Sequence, residues 1–581
     1  MNFKEINISE ILLEYFNNNE SKLKNLDEIN QLLKNKCGIN QFFESEVQLE
    51  KFNNFILNYN DTVSDVNRRE YGDFQTNSKL TYKTINYIKT KCSGKDFEFI
   101  LEPTCGKGSF IIAGLEAIPE IKKIVGIEIY LPYVFETKFN ILEFFIKNNR
   151  NLIPEIDIIH ANVFEYNFEK LSNTTNQLVT MVIGNPPWVT NSELGSINSN
   201  NLPPKSNFKK HIGFDAITGK SNFDIGEYVA NMMLKHFSNH SGVFGFLIKN
   251  SVAKNLIYEQ KNNSYSIGNI HKLNINAKKE FNTSVDACFF VTTFNQESEL
   301  ICKEFDFYSK KRITTFGWFE DNFVYSIDNY KEARDIEGKS QFTWRQGIKH
   351  DCSKIMEIEK SNNHFINGFN QDVNIETDLV YGILKSSDLK NSKTNEYRKL
   401  TIVTQKKIGQ ETGYIKQKFP KTYQYLERNK EFFDKRKSSV YRGKPEFSIF
   451  GVGDYSFMPY KVAISGMYKT THFTLVFPSN GKPIMLDDTC YFIGFERFNS
   501  AKIAHYLLNH THTQKFLKSI IFPDSKRAIT KDILMRIDFL KIYNFINFNS
   551  VKKELEIELD EWEEFGKLLN YKTENEQIKL F

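Results

Sequence analysis

The chain has little of what would tie it to a membrane, a disulfide scaffold or a zinc site. No stretch of its 581 residues approaches the roughly 20 apolar residues needed to cross a bilayer. The opening segment MNFKEINISEILLEYF carries acidic residues in an amphipathic pattern and lacks the continuous apolar block of a secretory signal. Its seven cysteines, at 37, 92, 105, 288, 302, 352 and 490, are odd in number and never form a CxxC pair. That spacing argues against a disulfide framework and a zinc site, and it suits a reducing cytoplasm. There is no GxGxxG dinucleotide fingerprint, no internal repeat and no long low-complexity tract.

What is present is a large apolar complement and an uneven charge. With 40% hydrophobic and 14% aromatic residues the chain can bury a sizeable core, and its length predicts two or three domains. The net charge is only +5, yet residues 331–545 hold 36 Lys+Arg against 23 Asp+Glu. Residues 1–330 hold 35 against 39, and the last 36 residues hold 5 against 9. A basic segment of that size is the footprint of a protein that neutralises phosphates, or simply a basic solvated surface.

Residues 1–70 read as a small helical extension, with apolar residues at helical spacing in ISEILLEYF and LEKFNNFILNY. From about 71 to 300 short β-rich runs alternate with helical stretches. FEFILEP, KIVGIEI, IDIIHANVF, LVTMVIGNPPW, GVFGFLI and DACFFVTTF are the predicted strands; GSFIIAGLEAI, YVFETKFNILEFFIKN and GEYVANMMLKHF are the predicted helices. This alternation predicts an α/β domain with a doubly wound, largely parallel sheet. Residues 301–545 loosen into aromatic, β-leaning segments, an α+β domain, and 546–581 read as an acidic closing helix.

Two constellations carry chemistry. The first is FILEPTCGKGSF, residues 99–110: a buried strand, Glu102, a tight turn with Gly106 and Gly108, then a helix. Glycine permits close backbone approach to a ligand. Glu128 ends the next strand, 20 residues after Gly108, where an acid can accept hydrogen bonds from a ribose. A bare GxG after a strand is equally a turn without a ligand. Asn162, after IDIIHA, stands where a polar group can meet an adenine edge or merely close a turn. Tyr228, in NFDIGEYVANMML, is a ring for a cofactor or a core residue.

The second constellation is LVTMVIGNPPWVT, residues 178–190, an apolar strand ending in Gly184 and then Asn185, Pro186, Pro187 and Trp188. Consecutive prolines stiffen the backbone and leave carbonyl oxygens free. An exocyclic aromatic amine is a poor nucleophile because its lone pair is delocalised into the ring. Two acceptors on its protons, the Asn185 side-chain oxygen and the Pro186 carbonyl, draw that lone pair towards a tetrahedral geometry. Trp188 supplies a face for a flipped base. No titrating group, covalent intermediate or metal is needed.

These motifs resemble those of the gamma-class DNA adenine-N6 methyltransferases of restriction–modification, ordered as cofactor motif, catalytic motif and target-recognition domain. YGDFQTNSKLTYKTINYI (71–88) resembles the motif preceding the sheet, with Thr76 a cofactor contact. LEPTCGKGSF resembles the glycine motif, with Glu-Pro-Thr where the family often has Asp-Pro-Ala. Glu128 matches the ribose-binding acid, Asn162 stands where many members carry Asp, and NPPW replaces the commoner NPPY or NPPF. Tyr228 matches an aromatic on the cofactor adenine, and Phe281, in KKEFNTSVDACFFVTTF, the second aromatic that sandwiches the flipped base.

The resemblance implies a Rossmann-like sheet, S-adenosyl-L-methionine as cofactor and double-stranded DNA as substrate, with 301–545 as the recognition domain. It further implies a cytoplasmic monomer on DNA, no membrane, and a cognate restriction endonuclease as an optional partner. Arg345, Arg436, Tyr441, Arg442, Lys526 and Arg527 are the expected DNA contacts. DNA is expected in a cleft between the two large domains. A protein-glutamine methyltransferase is disfavoured by the long basic segment. An RNA adenine or N4-cytosine enzyme, or a defence subunit without independent activity, stays open. Residues 1–70 hold no D…ExK nuclease set.

Overall fold

The computed structural model describes residues 6, 8–57, 76–91, 96–148, 150–190, 224–361, 364–523 and 527–578. The chain divides into two compact units, Met1–Phe323 and Val324–Phe581. Among the described residues no helix is long and apolar enough to cross a membrane.

Unit 1 is built on a ten-stranded sheet. Its strands are β1 (Phe99–Glu102), β2 (Lys123–Glu128), β3 (Glu155–His160), β4 (Thr180–Gly184), β5 (Gly242–Lys249), β6 (Ile267–Ile275), β7 (Ala287–Phe294), β8 (Ile301–Asp306), β9 (Arg312–Phe319) and β10 (Asn322–Val324), in the order β10-β9-β8-β6-β7-β5-β4-β1-β2-β3. β1 to β5 are mutually parallel, whereas β7 runs antiparallel to both β5 and β6. The sequence explains the parallel part: β1 and β4 are buried at every position, as uninterrupted apolar strands covered on both faces must be. Chain order reverses at β1, which has β2 on one side and β4 on the other. In an open α/β sheet such a reversal opens a crevice at the carboxyl ends of the strands.

The helices of unit 1 are α1 (Glu10–Asn17), α2 (Leu26–Cys37), α3 (Glu46–Leu57), α4 (Ser78–Lys91), α5 (Ser109–Ala117), α6 (Leu131–Lys147), α7 (Phe168–Thr175), α8 (Ile225–Phe237), α9 (Asn250–Asn263) and α10 (Ala277–Phe281). The N-terminal helices share the core of the sheet domain. Phe16, Phe42, Phe43 and Phe52 are fully buried, and Phe52 stacks on Phe139 of α6 at 5.6 Å. Lys138, the next residue of α6 inward, donates to the carbonyls of Gln41 and Phe42 at 3.0 and 2.8 Å. After α2, Gly38 takes φ +79°, and Ile39 bridges Ile156 of β3. A Cβ at Gly38 would lie 2.0 Å from the Pro154 carbonyl oxygen, so the turn admits no side chain. The extension thus covers the edge strand, which would otherwise present unpaired backbone groups.

All six predicted strands form, and β6 adds one the sequence did not announce, because IGNIHKLNI mixes polar and apolar positions around a bulge between Gly268 and His271. The expected boundary at 300/301 is displaced: β8, β9 and β10 continue the sheet of unit 1, and the units divide after Phe323.

Unit 2 is α+β. One sheet has five strands, with Tyr460–Ser465 between Cys490–Phe495 and Thr474–Val476; the other has six, with Lys399–Ile402 between Glu357–Ser361 and Val380–Leu384. The expected closing helix is two helices, Phe548–Leu555 and Leu559–Ile578, broken where Glu556 turns to φ +47°.

Lys461 sits in the central strand of the five-stranded sheet with no exposed surface, and its ammonium donates to the Met458 carbonyl at 2.6 Å. Burial pulls this ammonium down to about 7, against 10.5 for a free lysine. Between those values the unfolded chain holds a proton that the folded chain has released, so stability rises with pH across that window. Chemical denaturation at pH 7 and pH 10 should show wild-type stability rising, and Lys461→Met should remove most of that rise.

Candidate active site

The crevice at the reversal point becomes a pocket open to solvent. Its wall combines the ends of β1, β2, β3 and β4: Glu102 and Gly106, Glu128, Asn162, and Asn185. Thr76, just before α4, closes the same pocket.

The turn after β1 is held from three sides. Gly106 and Gly108 take φ +52° and +79°, the left-handed region that favours glycine. The Glu128 carboxylate accepts the N–H groups of Gly106 and Tyr130, both at 2.8 Å. Thr137, in the second turn of α6, donates its hydroxyl to the Gly106 carbonyl at 2.8 Å. Gly108 caps α5 rather than lining the pocket.

Glu102 is 2% exposed, and its Oε2 has no hydrogen-bond partner, nor has the buried hydroxyl of Thr104 beside it. Burial pushes the Glu102 carboxyl well above the usual carboxylate range, and the nearby Glu128 charge adds to this. Burial also raises the thiol of Cys105, on the same wall. Two carboxylates around one glycine cradle, one of them with an oxygen left unpartnered, suit a ligand that carries both hydroxyls and a positive centre.

Asn185 follows β4, and its Nδ2 donates to Thr76 Oγ1 at 3.2 Å, which sets the orientation of the amide. Pro187 lines the pocket, while the buried Pro186 ring faces Gly226. Trp188 is buried, with its indole N–H donated to the Leu247 carbonyl at 3.2 Å. The chain returns at Asp224, which pairs with Lys249 at the end of β5 (2.7 Å) and caps α8 through the Gly226 N–H.

No family model matches the chain. It is 38% identical over 475 residues to the type II methyltransferase M.NspV of Nostoc sp., an alignment covering 81% of this chain and 96% of that one. The chain belongs to the type II methyltransferases, the DNA methyltransferases of restriction–modification. Its fold is also similar to that of the type IIL restriction–modification enzyme MmeI, solved in complex with DNA. That likeness has a TM-score of 0.54 at 12% identity and covers 98% of this chain and 90% of MmeI.

In this methyltransferase the structure gathers Thr76, Glu102, Gly106, Glu128, Asn162 and Asn185 around one pocket. It corrects the expectation for Tyr228. Tyr228 is not on the wall; it stands edge-on to Phe164 at 5.4 Å, and Phe164 lines the pocket. Trp188 and Phe281 meet edge to face with centroids 4.9 Å apart, a closed pair. A planar base stacked between two rings needs about 7 Å, two contacts of roughly 3.5 Å each. Apolar rings of this size bury one another when they can reach.

Sequence reading missed Phe164, Tyr133, Ile129 and Ile225 on the wall. Their signal was positional: Ile129 and Phe164 follow the two strand-end polar residues by one and two positions. Asn162 Oδ1 accepts the Phe164 N–H at 3.0 Å, so the turn-closing role weighed for it is real.

In unit 2, Arg345, Arg442 and Arg527 are exposed, and Lys526 lies outside the described residues. Arg436 is a correction. Its guanidinium donates to the carbonyls of Ser448, Phe433 and His350 and stacks 3.8 Å from the Tyr441 ring centroid, so both side chains serve the fold. The run KRKSSVYRGK conceals this, because charge pattern does not reveal which cation finds buried carbonyls.

Gly108 offers a test of the cradle. A Cβ there would meet Thr137 Cγ2 at 2.7 Å and require a strained φ. Gly108→Ala should cost about 1–3 kcal/mol of stability by chemical denaturation, with the unfolding slope unchanged.

Proposed function

We propose that this enzyme transfers the methyl group of S-adenosyl-L-methionine to N6 of an adenine flipped out of DNA. The observation that carries the reading is the convergence of Asn185, held by Thr76, with the Glu102–Glu128 cradle on one pocket. Thr76, Glu102, Gly106, Glu128 and Asn162 would hold the cofactor, which supplies an electrophilic methyl when bound. The buried Glu102, with Oε2 unpartnered, favours a cationic ligand, since a positive charge beside it restores its ionised form. Glu128 keeps acceptor capacity for ribose hydroxyls beyond the two backbone N–H groups it takes.

On the substrate side, Asn185 Oδ1 and the Pro186 carbonyl accept the two protons of the adenine amine. Thr76, by taking the Asn185 amide N–H, turns the amide oxygen towards that role. Both acceptors are neutral, so polarisation needs no proton transfer to the protein before attack. The rate comes from fixed dipoles and from holding the amine in line. Trp188 and Phe281, edge to face at 4.9 Å in this structure, would have to part for the base to stack on them.

The test is nucleoside mass spectrometry of unmethylated DNA incubated with the protein and S-adenosyl-L-methionine. N6-methyladenine is expected from the wild type, and Asn185→Ala should lower its rate of formation by about 10²–10³, the usual cost of one preorganised polar group at a reacting centre. N4-methylcytosine would overturn the adenine assignment. Methylated RNA with unmodified DNA would overturn the substrate.

A further inference from the structure

Three elements of unit 1 bring exposed lysines together beside Phe281. Lys83 lies on α4, Lys279 on α10, and Lys310 in the turn between β8 and β9. The ammonium groups of Lys83 and Lys279 stand 5.8 and 5.5 Å from the ring centroid of Tyr308. That of Lys310 stands 4.1 Å from the ring of Phe307 and 4.8 Å from that of Tyr87. None of the three makes an ion pair among the described residues.

The carboxylates nearby are already engaged. Glu280 accepts the Asn77 amide at 3.0 Å and the Tyr308 hydroxyl at 2.8 Å. Asp306 accepts the N–H groups of Tyr308 and Ser309 and the Ser309 hydroxyl. Lys310 is held below the ordinary lysine range by burial and then by the charges of Lys83 and Lys91, with Asp306 opposing. Glu280 faces Lys83 and Lys279, and Asp306 faces Lys310, so three ammonium groups stand against two carboxylates and the group keeps a net positive charge that an anion would balance.

The place is specific. Lys279 precedes Phe281 by two residues on α10, and Phe281 meets Trp188. Asn77, which ties Glu280 of that helix to α4, follows Thr76 of the pocket wall.

We propose that Lys83, Lys279 and Lys310 form a phosphate-binding patch that grips the target strand of DNA next to the nucleotide being methylated. The proposal rests on the DNA-methylation reading above. It gives the catalytic unit its own hold on the backbone, separate from the basic surface of unit 2. The rings of Tyr308, Phe307 and Tyr87 lie under the ammonium groups, and the bridge from Tyr308 to Glu280 connects the patch to the helix that carries Phe281.

The experiment measures affinity for an unmethylated duplex, carrying a sequence the wild type methylates, over a salt series. It compares the wild type, K83Q/K279Q/K310Q and K83R/K279R/K310R. Each neutralised phosphate contributes about 0.9 to the slope of log affinity against log salt, so the glutamine variant should lose about two to three units of slope. The arginine variant should keep the wild-type slope, and calorimetric affinity for S-adenosyl-L-methionine should be equal in all three. A glutamine variant with the wild-type slope overturns the patch alone. So does loss of cofactor binding in that variant, which would mark a structural role. A wild type that binds and methylates no DNA, or acts on RNA instead, overturns the functional reading and the patch with it.

Discussion

Everything at the site depends on two carboxylates, Glu102 and Glu128, placed on one glycine turn by adjacent parallel strands. Parallel pairing of β1 with β2 brings their carboxyl ends to the same edge, and the reversal of chain order at β1 opens the space between them. Glu128 uses its acceptors to fix the turn, and Glu102 is left buried with an oxygen to satisfy. A buried carboxylate oxygen without a partner costs stability, and here the fold keeps one on the pocket wall.

The substrate half is organised by softer means. One amide–hydroxyl bond, Asn185 to Thr76, links the end of β4 to the segment before α4, so orientation of the amide depends on a residue more than a hundred positions away. The aromatic half is apolar, and its two rings close on each other. Polar parts of the pocket are thus set in place by hydrogen bonds, while the aromatic pair meets through ring contact at its face. Phe281 lies on a five-residue helix whose Glu280 is tied to Asn77 and Tyr308, so the tie that positions the ring also resists its movement.

The polar residues at strand ends were legible in the sequence because strand-end chemistry depends on local order: Glu102, Glu128, Asn162 and Asn185 each follow an apolar run and meet in the fold. The aromatic residues were not. Tyr228 has helical spacing that fits a wall or a backing layer, and only tertiary packing places Phe164 on the wall. The boundary between units was misplaced for the same reason, since β8 to β10 look like the β-leaning segments that follow them and belong to the first sheet by pairing alone. Arg436 shows the limit of charge counting: a guanidinium beside aromatic residues reads as a phosphate contact until its carbonyl partners are known.

The most direct test of the account is calorimetric titration of S-adenosyl-L-methionine into the wild type and Glu102→Gln across a pH series. Glu102 is held well above the ordinary carboxylate range, so lowering the pH protonates it before an ordinary carboxylate and removes the charge that would receive a cation. The account predicts wild-type affinity that rises with pH through that range, and Glu102→Gln binding that is weaker and flat over the same range. Equal affinity in the two proteins, with the same pH course, would contradict it.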